Sequence, residues 1–279
     1  MAARPERVPA EEVRRRMLEA GRDLAIESGA ALTIEHLRVE EIIQRARVPR
    51  SSAYRMWPYR EDYIDDLLCY LAGVGNWFND RPVFDPETFT VLKQVVEDNR
   101  ELISRPGGRR ALLQEVVRLT VAQNYSALTD SSLWRLHMAL SATLGSTRSG
   151  EARQKIAAAL EEAQRVSRES LVAVFGFLAA ELGLRLRDPA ATVEHMQLAG
   201  GLLVQSMALR NVQVRAAADG GSACDNAGEA ARVDALLNAP LPGPGLDGQP
   251  AEWTLAAFAY MGVVDAFVEL DPDFTPPVR

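Results

Sequence analysis

Lysine is nearly missing from this chain: of 31 basic residues only Lys93 and Lys155 are lysine, so almost every positive charge is a guanidinium. Cysteine occurs at Cys69 and Cys224 alone, far apart and outside any paired motif, which argues against a disulfide framework and against a thiolate zinc site. Cys69, between Leu68 and Tyr70, reads as a small buried hydrophobe, and Cys224 as part of a polar loop. The histidines His36, His137 and His195 are scattered, with no close Cys or His beside any of them, so no metal and no cofactor is expected. Long apolar runs are missing too. No window approaches the roughly 18 consecutive apolar residues of a membrane span, and "MAARPERVPAEEVRRR" has no signal-sequence pattern; the expectation is a cytoplasmic protein with no membrane partner.

Catalytic motifs are equally scarce. The chain has no G-x-S-x-G, no G-K-[ST] phosphate loop and no H-E-x-x-H. "GPGLDG", Gly243 to Gly248, satisfies G-x-G-x-x-G in form, but Pro240, Pro242, Pro244 and Pro250 crowd a motif that needs a strand before it and a helix after it. No catalytic residue is assigned and no enzyme is expected. Two other readings stand beside the main one below: a helical adaptor that binds protein partners, and an enzyme in the C-terminal part.

What is present is the composition of a globular protein, 47% hydrophobic and 25% charged, with a net charge of −7 that is unevenly spread. Residues 1 to 60 hold 12 Arg against 9 acids, a net of +3, which leaves −10 for the rest. A basic end on an acidic body gives any approach to nucleic acid a preferred orientation.

Helical periodicity dominates and strand signals are nearly absent. Val13, Met17, Gly21 and Leu24 share a face, widened by Leu18, Ala20 and Ala25, up to a stop at Gly29. Val39, Ile42, Ile43 and Ala46 mark a short second helix with Glu40, Glu41, Gln44 and Arg45 on its other face. Pro49 suits the first turn of a third, whose buried side is Ala53, Tyr54 and Trp57 and which Pro58 ends. A fourth runs from Arg60 towards Trp77. Further helices are expected from the Asp85-Pro86 pair to Ser104, over 111 to 128, 132 to 144 and 151 to 182, from Asp188-Pro189 to Val214, at 229 to 237 within a loop region, and from Trp253 to Leu270.

The second and third helices, joined by a tight turn and braced by longer ones, have the layout of a helix-turn-helix, whose second helix enters the major groove. Its outward residues are Arg50, Ser51, Ser52 and Arg55, with the Tyr54 hydroxyl able to reach phosphate and Arg60 placed for a backbone clamp. Arg14, Arg15 and Arg16 fit a solvated face better than a DNA contact.

This segment resembles the TetR family of bacterial transcriptional regulators, with its "A-G-V-S-x-x-T-L-Y-x-x-F-x-x-K-E" signature, over residues 11 to 71. The matching positions are Ala46, Val48, Tyr54, Trp57, Arg60 and Glu61, while Arg47, Pro49 and Ala53 replace the usual Gly, Ser and Leu. A non-glycine turn residue at 47 requires a left-handed conformation, and Pro49 can open a helix without a side-chain cap. The resemblance also implies a phosphate contact at the start of the second helix. The link between Gly29 and Val39 is longer than the family's usual one, leaving that role to Arg38 or Thr33; Arg38 is the assignment.

The fold class implied is all-α: a DNA-binding domain at residues 1–72 followed by a larger all-helical ligand-binding and dimerisation domain at 73–279. The partners implied are a double-stranded, palindromic operator, a second copy of the chain and a small-molecule effector of unknown identity. Gln123, Tyr125, Trp134, His137 and Met138, on neighbouring helices, are the candidates for the effector pocket. Stripes at Ile156, Leu160, Ala163, Ser167, Ser170, Val174 and Leu178, and at Met196, Leu203 and Met207, suit a dimer interface or ordinary core. Gly200-Gly201 inside a helix points to close approach of another helix.

Overall fold

In the computed structural model the described residues are 9–27, 37–73, 86–145, 150–219, 227–246 and 248–276. The expectations for Gly29, Thr33, His36, Trp77, Asp85 and Cys224 lie outside them. The helices are α1 (Ala10–Glu27), α2 (Val39–Ala46), α3 (Arg50–Met56), α4 (Arg60–Gly73), α5 (Pro86–Asp98), α6 (Gly108–Asp130), α7 (Ser132–Thr143), α8 (Gly150–Leu182), α9 (Val193–Asp219), α10 (Ala227–Asn238) and α11 (Leu255–Phe267), with a 3₁₀ helix at Arg100–Ser104. Four short strands, β1 (Leu184–Leu186), β2 (Leu241–Pro244), β3 (Pro250–Trp253) and β4 (Val268–Leu270), complete a mostly helical chain.

Two compact units divide it: Met1–Asp80 with Ser131–Arg165, and Arg81–Asp130 with Val166–Arg279. Where the sequence suggests one boundary, between 72 and 73, the first unit also takes in α7 and the start of α8.

The first unit is built on α1, whose Val13, Met17 and Leu18 are buried as their spacing predicts. They join Ile42, Ile43, Ala53, Trp57, Tyr63, Leu67 and Leu71, together with Leu136, Leu140, Ile156 and Leu160, in one core. Each large side chain buried there contributes about 1.5–3 kcal/mol. Gly21 lets α4 approach α1: a Cβ at that position would lie 2.3 Å from the Tyr63 hydroxyl, which itself donates to the Met17 carbonyl at 2.9 Å. Cys69 is half-buried rather than buried, because it sits at the edge of this core.

In the second unit α6 packs against both α9 and α11, and α10 against α9. The few strands, which the sequence does not signal, form two short ladders. β1 pairs antiparallel with β4, Leu184 opposite Leu270, and β2 with β3, Leu241 opposite Trp253. The final helix therefore starts at Leu255, capped by Thr254, whose side chain accepts from the Ala257 N–H, and ends at Phe267, because Val268–Leu270 pairs with β1. Gly243 and Pro244 of "GPGLDG" belong to β2, so the dinucleotide pattern is a hairpin arm. Gly243 is needed because a Cβ there would meet the Trp253 ring at 2.5 Å.

Two helix ends also differ from expectation. The helix drawn to Ser104 breaks at Asn99, whose side chain donates to the Val95 carbonyl at 2.8 Å while its backbone leaves the α region. Asp188-Pro189 does not open α9: Asp188 Oδ1 accepts from the Ala190 N–H at 2.8 Å in a local turn, and the helix begins at Val193. Asp makes the same side-chain bond in an Asx turn and at an N-cap, so the two share a local signal. Gly200 lies against the Tyr260 ring of α11, the close approach its presence suggests, whereas nothing lies within 4 Å of a Cβ placed at Gly201.

Candidate nucleic-acid interface

α2 forms because Ile42, Ile43 and Ala46 give it one buried stripe, with Glu40 and Glu41 in its first turn opposing the helix dipole. It stops at Arg47, which adopts φ 53, ψ 43, the left-handed conformation the sequence requires there. In that conformation the N–H of Arg47 donates to the Gln44 carbonyl at 3.2 Å and that of Val48 reaches back to Ile43 at 3.5 Å, closing the helix end. Pro49 then takes an extended conformation as the residue before α3, with no side-chain cap.

Ala53 and Trp57 turn inward from α3. The Trp57 indole donates to Asp66 at 3.2 Å and meets Tyr63 edge-on at 5.2 Å, and Asp66 also pairs with Arg14. This chain of contacts fixes the far end of α3 on α4 and α1. Arg50, Ser51 and Arg55 are exposed, as expected, and Ser52 is half-buried. Tyr54 corrects one expectation: it is 37% exposed rather than part of the buried side, because Ala53 and Trp57 alone fill the inner face of so short a helix.

Arg38, Tyr54 and Arg60 come together around a groove of about 370 Å³, also lined by Glu40, Trp57 and Tyr59. Arg38 precedes α2 and Arg60 opens α4, so three separate elements aim polar groups at one depression. Sequence reasoning assigned no role to Tyr59, which is 71% exposed at the groove rim; an aromatic between Pro58 and Arg60 was its only signal.

The arginines are not equally available. Arg14 pairs with Asp66, Arg15 with Glu12 and Glu19, Arg16 with Glu12, Arg22 with Asp23 and Arg45 with Glu27. The Arg15 and Arg16 guanidiniums hold the Glu12 carboxyl down at about 2. Arg38, Arg47 and Arg55 make no ion pair with the described residues. Arg50 lies 3.5 Å from Glu40 and stands over the Tyr54 ring at 5.4 Å. Among these arginines, the ones without an ion pair to the described residues flank α2 or belong to α3.

The effector-pocket candidates are split between units. Gln123 and Tyr125 lie on α6 in the second unit, Trp134, His137 and Met138 on α7 in the first. Gln123 is exposed, while Tyr125 is buried with its hydroxyl accepting from Asn211 Nδ2 at 2.7 Å. Trp134 and His137 are buried, Met138 is half-buried, and burial pushes the His137 imidazole down to about 4. A second depression, of about 460 Å³, is lined by Ser104, Arg105, Arg109 and Arg110. Arg109 is committed to the carbonyls of Leu182 and Asp271, and Arg110 to Asp265.

Of the stripes considered for a dimer interface, Ile156, Leu160, Val174, Leu178 and Met196 are already buried within one chain. Among the described residues, the large exposed hydrophobics on those helices are instead Val172 on α8 and Leu198 and Leu202 on α9. Among the described residues no group of acidic, His or Cys side chains is arranged to hold a metal, and no helix is long and apolar enough to cross a membrane. No family model, no curated protein and no solved structure matches this chain.

Proposed function

We propose that the chain is a sequence-specific DNA-binding transcriptional regulator of TetR-like organisation, acting as a homodimer whose α3 helices enter adjacent major grooves of a palindromic duplex. The observation that carries this reading is the turn between α2 and α3. A left-handed Arg47 and an extended Pro49 set two short helices at a tight angle, with Ala53 and Trp57 anchored inward and Arg50, Ser51, Tyr54 and Arg55 outward. Arg suits guanine O6 and N7, and Tyr, Ser and the flanking Arg38 and Arg60 suit phosphates. Exposed Val172, Leu198 and Leu202 support a second copy as partner. A small-molecule effector bound in the second unit favours a state whose paired α3 helices are wrongly spaced for DNA, relieving repression.

Selection of bound duplexes from a random library by the purified protein tests this reading, and a palindrome is the expected product. Arg50→Ala lowers affinity by about 1–3 kcal/mol and relaxes the preference at one base position, whereas Arg60→Ala weakens binding to all sequences and flattens the salt slope by about 1 per protomer. Neither substitution altering affinity in an intact dimer refutes the placement of α3 on DNA.

A further inference from the structure

Glu40 stands in the first turn of α2 and aims its carboxylate at α3. Its Oε1 accepts from the Tyr54 hydroxyl at 2.6 Å and lies 3.5 Å from the Arg50 guanidinium. Arg38 and Arg60 line the same groove. The Tyr54 hydrogen bond, more than the neighbouring Arg50 charge, holds the Glu40 carboxyl below the usual carboxylate range. Arg50 and Glu40 are both more than half exposed, so the pair adds little to folding stability. Its effect falls on whatever polyanion approaches α3.

A carboxylate touching a phenol and a guanidinium presents the chemistry of a phosphate in contact with the same groups. It therefore treats the two kinds of DNA partner differently. A phosphate approaching Arg50 meets a charge partly offset by Glu40 and an anion of its own sign. A guanine edge carries no net charge, so Glu40 repels its O6 and N7 acceptors far less than a phosphate, and it needs only two of the five guanidinium N–H donors.

Resting on the DNA-binding reading above, we propose that Glu40 is a specificity-determining residue of this interface, an internal anion that discourages Arg50 from gripping phosphate indiscriminately and leaves it as a reader of bases. Non-operator binding consists almost wholly of phosphate contacts, so Glu40 weakens it most.

The test compares the full-length protein with Glu40→Gln and Glu40→Asp, titrating a mixed-sequence duplex and the palindrome enriched from the random library across a range of salt. Glu40→Gln keeps an acceptor for Tyr54 and removes the charge. It is expected to raise affinity for the mixed-sequence duplex roughly tenfold, to raise palindrome affinity clearly less, and to steepen the mixed-sequence salt slope by about 1 per protomer. Glu40→Asp, which keeps the charge, is expected to stay near the parent slope. If Glu40→Gln leaves mixed-sequence affinity and slope unchanged, or strengthens both duplexes equally, the role assigned to Glu40 is overturned while the DNA-binding reading stands. If neither the parent nor Glu40→Gln binds any duplex in a salt-dependent way, the DNA-binding reading itself falls, and this inference with it.

Discussion

Replacing His137 with Gln is expected to remove part of the acid sensitivity of the unit that carries α3. His137 is 4% exposed on α7, and burial alone pushes its imidazole from 6.5 to about 4. The unfolded chain therefore takes up a proton near pH 6.5 that the folded chain refuses until near pH 4. The folded-state pKa is the lower one, so neutral His137 costs nothing above the unfolded value, and stability is lost as pH falls through that window. Between pH 7 and pH 5 the linkage amounts to about 2 kcal/mol, a shift of about 1 M in the urea midpoint. Urea unfolding followed by helical circular dichroism at both pH values, in the parent and His137→Gln, gives the difference directly. The parent is expected to lose about 2 kcal/mol more than the variant. Parallel losses in the two proteins refute the argument, because the pH dependence would then come from groups that both share.

Two further outcomes follow from local geometry. Arg47→Gly relieves a left-handed non-glycine residue and is expected to stabilise the chain by about 0.5–1 kcal/mol in denaturant titration, with α2 and α3 unchanged; destabilisation would mean that contacts of the Arg47 stem outweigh the backbone strain. Tyr125→Phe deprives fully buried Asn211 of the hydroxyl it donates to at 2.7 Å and is expected to cost about 1–3 kcal/mol, partly recovered when Asn211→Leu is added. Equal costs for the single and double variants would contradict that account.

The helices α1 to α4 were legible because their signals are local. Four apolar positions in an eight-residue helix define α2, three of them buried, and the left-handed conformation at 47 is what the resemblance implies where Arg47 stands in place of the usual Gly. The orientation of Tyr54 was not legible: seven residues are too few for periodicity to separate a second inward aromatic from an outward one. Glu40 looked like any residue of a solvated face, and its contact depends on the angle that Arg47 imposes. The strands were invisible for the opposite reason. Each is 3 or 4 residues long, two contain proline or glycine, and β1 finds its partner more than eighty residues along the chain. The pairs Asp188-Pro189 and Trp253-Thr254 show the limit for helix starts. Both contain a residue able to cap, but only Thr254 caps a helix.

The β1–β4 ladder has a consequence for how the chain is made. All residues of the first unit have been synthesised once residue 165 has been added, so its core can close early. The second unit cannot do likewise. Until Val268–Leu270 emerges, β1 has no ladder partner, and until Asp271 follows, Arg109 lacks one of the two carbonyls it bridges. Synthesis from the N-terminus therefore leaves α1 to α4 folded on a chain whose other unit still awaits β4. A stop codon anywhere between 165 and 268 releases a product with a complete first unit and an unfinished second one, and Val268 to Asp271 act as the closing stitch of the latter.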